Sequence, residues 1–244
     1  MAVPGELGNA VSSQLAGVLS TILVPVGSTE QHGPHLPLDT DTRIAAAVAR
    51  ETAARLAVAA TAAGSAPQYL VAPAIGYGDS GEHQSFPGTI SIGTKALTLL
   101  LVEYGRSASC WAQRLVFVNG HGGNVAAIAS AVRQLRSEAR DAVWCPCTVA
   151  GGDAHAGHTE TSILLHLSPA DVRTDRLTEG NRAPLPDLIS TMRRGGIAAV
   201  SEVGILGDPT TATDTEGEGL FAAMVDRCVR AVGDWAPGAD GMLR

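Results

Sequence analysis

Four short apolar runs, each passing at once into a glycine-rich polar turn, constrain the fold of this chain more than any other feature. They lie at residues 21–27, 69–75, 114–118 and 147–150. β-branched and other apolar residues continuous over four to seven positions read as strands buried on both faces. Between and after them lie alanine-rich stretches of helical character at 41–56, 94–114, 124–140 and 161–167, with a final helix at 216–235. Alternation of strand, turn and helix predicts an α/β fold with a mostly parallel sheet covered on both faces. In such a sheet the loops at the carboxyl ends of the strands line one edge, where ligands bind. Six of the seven histidines fall in those loops: His32, His35, His83, His121, His155 and His158. Only His166 sits inside a helical run. One metal or catalytic site at that edge is the reading this distribution supports.

Residues 168–209 are richer in Pro, Gly and Arg and read as an excursion with one short helix, so 1–244 is taken as one domain. With 17 basic against 24 acidic residues and a net charge of −7, the chain has no basic block, which argues against nucleic acid or anionic membrane as a partner. Residues 1–13 lack the basic and apolar regions of a secretory leader, and no run approaches the ~20 apolar residues of a membrane span. Four irregularly spaced cysteines give no disulfide framework, which fits a cytoplasmic location. Cys145 and Cys147 have no second pair to make a structural zinc site and read as strand core.

The chemistry concentrates in three turns. In the first, Glu30 and His32 are two apart, so in an extended segment they point the same way, and Asp41 stands at the mouth of the next helix. These three can meet one ion. The mixed nitrogen and oxygen donors suit zinc, ferrous iron or manganese rather than calcium. In the second, Asn119-Gly-His-Gly-Gly-Asn124, His121 leaves a strand end as a further ligand, and Gly122 and Gly123 leave amides free to face an oxyanion. In the third, Glu160 falls in a first helical turn, where it can cap amides or turn to a metal. His155 is placed to donate or accept a proton, and His158 reads as lying outside the ligand set. Tyr77, Glu82, His83, Ser85 and Phe86, in the glycine-rich segment 76–88, are expected to shape the substrate pocket, because that segment lacks any nucleotide fingerprint.

The motifs resemble the creatininase (creatinine amidohydrolase) family. Glu30-Gln-His-Gly-Pro-His-Leu-Pro-Leu leading to Asp41, the block 119–124, His155-Ala-Gly leading to Glu160-Thr-Ser162, and Gly207-Asp-Pro209 fall in family order across roughly residues 20–220. The resemblance implies a three-layer α/β/α fold, a homo-oligomer and a divalent-metal hydrolase of amide bonds. Carried over by position, Glu30, His32, Asp41, His121 and Glu160 become metal ligands, with Asp41 bridging two ions if two are bound, and His155 and Glu160 carry catalysis. Two departures stand out. Creatininases proper place a glutamate ligand where this chain has Gly123, and a stacking tryptophan where it has Gly151 and Gly152. Creatinine is therefore not the expected substrate. Within the family, the opening motif through Arg43 is most similar to the branch that trims a ribosomally made precursor peptide. That branch removes a modified C-terminal Val-Tyr dipeptide during maturation of a redox cofactor. Two other readings remain open: a hydrolase of a small cyclic or formylated amide, and a non-catalytic metal-binding partner of a peptide-modifying enzyme.

Overall fold

Three of the apolar runs become strands where the sequence places them, and the fourth strand forms earlier in the chain than expected. The computed structural model describes residues 5–64 and 68–244, so the first four residues of the segment read for a leader lie outside it. β1 (Ser20–Val26), β2 (Gln68–Val71), β3 (Arg114–Asn119) and β4 (Ala142–Pro146) form a sheet in the order β2-β1-β3-β4. Every neighbouring pair is parallel, with Leu23 opposite both Val71 and Val116, and Phe117 opposite Trp144.

The run at 147–150 is not a strand. β4 ends at Pro146, after which Cys147 N–H makes one more bond to Asn119 O at 2.8 Å and the chain turns through Gly151 at φ +76°. The strand forms upstream because 142–145 are sandwiched between β3 and the C-terminal segment. Trp144 N–H donates to Gly241 O, and Leu243 N–H donates to Trp144 O. β2 likewise stops at Val71, short of the predicted 75. Pro73 has no N–H for the ladder, and Ile75 rejoins β1 through a single bridge to Val26.

The helices are α1 (Ser12–Leu15), α2 (Thr40–Ala62), α3 (Gly93–Ala108), α4 (Val125–Ser137), α5 (His158–Leu167), α6 (Leu185–Gly195) and α7 (Asp214–Asp234). α3 is shorter than the predicted 94–114, because Cys110 and Trp111 close a turn that returns the chain to β3. Side chains alternate across the sheet. Leu23, Val116, Val118 and Val143 pack against Ile44 and Val48 of α2, Ile163 of α5 and Val225 of α7. Ile22, Val24, Leu115 and Phe117 pack against Leu97 and Leu101 of α3 and Ile128 and Leu135 of α4. The three-layer α/β/α expectation is met. Each fully buried aliphatic side chain contributes on the order of 1.5–3 kcal/mol, so both layers are firmly held.

The excursion after α5 folds back on the sheet's edge. Its residues Gly180 and Asn181 donate to Gly207 O and Ile205 O, and Leu206 pairs antiparallel with His155. Beyond this ladder α6 rests on a small cluster of Leu188, Ile197, Leu206 and Phe86. Among the described residues no helix is long and apolar enough to cross a membrane.

Candidate metal centre

The carboxyl ends of β1 and β3 converge with the start of α2, and this convergence builds the site. Past Val26 the chain presents Ser28, Glu30 and His32 on one side, all of them buried. Asp41 enters as the second residue of α2, close enough to β3 that a side chain at Gly120 would fall against Asp41 O. Asn119 and Asn124 tie the loops together. Asn124 Nδ2 donates to Gly27 O at 2.9 Å, its Oδ1 accepts from Asp79 N–H at 2.9 Å, and Asn119 Nδ2 donates to His121 O at 2.7 Å.

Asp41 is the hub. His32 Nε2 faces its Oδ1 at 3.1 Å, His121 Nδ1 faces its Oδ2 at 3.1 Å, and Ser28 Oγ donates to Oδ2 at 2.8 Å. Glu30 lies deeper, fully buried, with Oε2 3.2 Å from His121 Nε2 and Oε1 3.3 Å from His83 Nε2. Glu160, in the first turn of α5, accepts from Ala156 N–H at 2.6 Å and stands 4.0 Å from His32 Nε2. It therefore ties down the backbone just before α5 while facing the cluster, and the first-turn amides of His158 and Thr159 go instead to the Asp153 carboxylate. Ala156 holds this corner in a left-handed conformation at φ +51°, unusual for a residue with a side chain.

Three groups of donors lie close enough together to share an ion: Glu30, Asp41 and His121; His32, Asp41 and Glu160; and Glu30, His32 and His155. Ligands bonded at about 2.0–2.2 Å stand roughly 3–3.5 Å from one another, and the His32–Asp41 and His121–Glu30 separations of 3.1 and 3.2 Å match that spacing. Neither oxygen of Glu30 has a hydrogen-bond partner, although the side chain is fully buried. A carboxylate without donors in such a place is costly unless a cation meets it. The residues present fit a divalent metal.

Without a metal, protons take the place of the cation. Burial opposes charge on His32, but Asp41, Glu160 and Glu30 outweigh it and raise the imidazole to about 10. His121 rises to about 10 in the same way, through Glu30 and Asp41. Burial lifts Glu30 to about 7 against the pull of His121, and lifts Glu160 to about 7 against the pull of His32. Asp41 resists burial and stays well below the usual range because His32 and His121 flank it. Burial and the neighbouring His32 hold His155 well below its ordinary value, so it is neutral.

The remaining predicted residues divide. His155 is inside the cluster, its ring 4.5 Å from His32 and its Nδ1 3.7 Å from Glu30 Oε1. His83 is there too, its ring 4.3 Å from that of His155. Glu82 stands beside His121, whereas Tyr77 and Ser85 are exposed and Phe86 packs under α6. None of these six borders the large cleft of about 700 Å³ that opens onto Glu160. The cleft is lined instead by Gly122, Thr148, Asp153, Arg182, Leu206 and other residues, many of them supplied by the 147–154 turn and the excursion. Gly122 faces the cleft, while Gly123 is covered by Asp79 and Glu82. His158 lies on the cleft wall against Thr211 Oγ1 at 2.9 Å, outside the cluster.

Two residues escaped the sequence reading. Ser28, two positions before Glu30, was legible from the same alternation that paired Glu30 with His32. Gln31 was not: its Nε2 reaches His83 Nδ1 at 2.8 Å, His155 Nε2 at 3.1 Å and Gly204 O at 2.9 Å, partners that only the tertiary fold assembles.

Comparison with known proteins gives the arrangement its lineage. The creatininase family profile, described as creatinine amidohydrolase, matches residues 11–232. The chain belongs to the creatininase family. Relatives of this creatininase-family protein include the mycofactocin precursor peptide peptidase of Mycobacterium tuberculosis strain H37Rv, 70% identical over 99% of this chain and 96% of that one. The protein of the same description from Mycolicibacterium smegmatis is 61% identical over 100% of this chain and 96% of that one. The creatinine amidohydrolase of Pseudomonas putida is more distant, at 29% identity over 87% of each chain. Among solved structures, a manganese form of creatininase superposes with a TM-score of 0.78 at 26% identity, covering 96% of this chain and 99% of that one. A creatininase variant of the Zn–Zn type gives a TM-score of 0.77 at 26% identity, covering 97% and 100%.

Proposed function

We propose that this protein is a divalent-metal peptidase that removes the modified C-terminal Val-Tyr dipeptide from the mycofactocin precursor peptide. One observation carries the metal chemistry: Glu30 is fully buried with two unpartnered oxygens, within ion-sharing distance of Asp41 and His121. The substrate rests on relatives of that description, 61–70% identical along nearly the whole chain.

Glu30, Asp41 and His121 would hold one ion, and His32, Asp41 and Glu160 a second, with Asp41 common to both. Iron, zinc and manganese all accept this donor set. A bound divalent ion supplies Lewis acidity towards the scissile carbonyl and lowers the pKa of water. The chain does the rest. The cleft beside Glu160 accommodates a peptide terminus, and the Gly122 amide at its floor faces the carbonyl oxygen as negative charge develops. His155 would take the proton at Nδ1, since Gln31 fixes its ring through contacts at Nε2. A proton taken there can pass to the departing amine, and no side chain need form a covalent intermediate. The protein works as a homo-oligomer in the cytoplasm, in keeping with its family and its unpaired cysteines.

The test is mass spectrometry of modified precursor peptide incubated with metal-loaded protein, with chelator and creatinine controls. Chelator-sensitive loss of the C-terminal dipeptide, with creatinine untouched, is the expected result. An uncut peptide with metal verified in the protein would refute the substrate assignment.

A further inference from the structure

The ring of His121 meets a backbone carbonyl that has no role in the scheme above. Its Nε2–H donates to Asp79 O at 2.9 Å. A carbonyl oxygen can only accept, so this contact keeps a proton on Nε2. Glu30 Oε2 stands 3.2 Å from the same atom, yet neither Glu30 oxygen has a hydrogen-bond partner, so Glu30 does not compete for that proton. The other ring nitrogen, Nδ1, faces Asp41 Oδ2 at 3.1 Å, within the roughly 3–3.5 Å that two ligands of one ion keep.

The loop that carries the carbonyl is pinned at three consecutive residues. Ile92 N–H donates to Gly78 O at 2.9 Å, Asp79 N–H donates to Asn124 Oδ1 at 2.9 Å, and Ser80 N–H donates to Ser91 Oγ at 2.9 Å. Position 123 must stay bare for the contact to exist. A Cβ there would lie 2.2 Å from Asp79 O and 2.4 Å from His121 Nε2, against donor and acceptor at once. The obstacle at Asp79 is backbone and cannot rotate away. Gly123 is not among the glycines with positive φ, so close approach rather than the dihedral calls for glycine here.

We infer that Asp79 O and the bare position at Gly123 hold His121 with Nε2 protonated, so that Nδ1 is the atom it offers to the ion shared with Asp41. This rests on the metal-hydrolase reading. A histidine that ligates through one nitrogen almost always donates its other N–H to a carboxylate, a carbonyl or water, which fixes the tautomer and turns the ring. Gly123 is then a positioning residue for a metal ligand, and not a donor to the oxyanion.

The experiment is NMR of the zinc-loaded protein carrying isotope-labelled histidine, which reports the ring nitrogen of His121 that bears the proton and the one that bears the metal. Zn²⁺ affinity of Gly123→Ala is measured beside it by equilibrium dialysis. The expected result in wild type is zinc on Nδ1 and a proton on Nε2 that exchanges slowly with solvent. In Gly123→Ala affinity falls by about tenfold or more and the Nε2 proton exchanges faster. Zinc on Nε2 with the proton on Nδ1 in wild type overturns the inference, whatever the variant does. Wild-type affinity with an unchanged His121 spectrum in Gly123→Ala overturns the role given to position 123. A wild-type protein that takes up no zinc overturns both the inference and the reading beneath it.

Discussion

Asp41 is the residue on which the cluster depends, and its orientation is set by a hydroxyl as much as by the histidines. Ser28 Oγ donates to Oδ2 at 2.8 Å, leaving the carboxylate turned between His32 and His121. Residues behind a ligand often cost 10–100-fold in metal affinity when removed. Ser28→Ala should therefore lower Zn²⁺ affinity by about tenfold or more by dialysis, while losing only ~1 kcal/mol of metal-free stability for one hydrogen bond. An unchanged affinity would show that the histidines alone orient Asp41. At this scale the sequence was informative where donors are close in the chain, as with Glu30 and His32. It was silent on Gln31, whose partners lie 52, 124 and 173 positions away.

At the scale of elements, the position of α2 against the end of β3 decides whether the donors meet. A Cβ at Gly120 would fall against backbone at Asp41 O and lie 3.2 Å from Ala45 Cβ, so α2 would have to move away. At Gly122 nothing lies within 4 Å of an added Cβ. Gly120→Ala is thus expected to cost on the order of 1–3 kcal/mol and to lower metal content, whereas Gly122→Ala keeps its melting temperature. Thermal melts with elemental analysis check both variants, and a stable, fully metallated Gly120→Ala would contradict this packing. Strand positions followed from apolar runs except at β4. The residues at 147–150 match the strand composition, but the hydrogen-bonding partners that select 142–146 include the distant segment 241–243.

For the whole molecule, the buried charge of the site makes stability depend on pH in opposite senses with and without metal. Burial opposes protonation of His32 and His121, yet the surrounding carboxylates raise both from 6.5 to about 10 in the metal-free protein. A histidine with a raised native value stabilises the fold fully below its unfolded value and loses that contribution as pH rises through the native one. Glu30, raised by burial from 4.5 to about 7, likewise favours the metal-free fold less as it ionises. Metal binding requires the imidazoles neutral and the carboxylates charged, so it strengthens over the same range. The drop in melting temperature caused by a chelator should be larger near pH 9 than near pH 6.5. Equal drops at the two pH values would mean that these groups do not exchange protons for metal.

The sequence by itself determined the layered α/β class, the edge of the sheet that carries chemistry, and the donor types gathered there. All of these follow from local periodicity and from polar residues placed directly after apolar runs. Only the tertiary structure decided which donors share an ion, that Glu82 and His83 stand against the cluster rather than on the cleft wall, and that the excursion after α5 forms much of that wall. Those outcomes depend on loops from separate strands closing within a few ångströms of one another, a distance fixed by packing between layers and invisible to spacing along one chain.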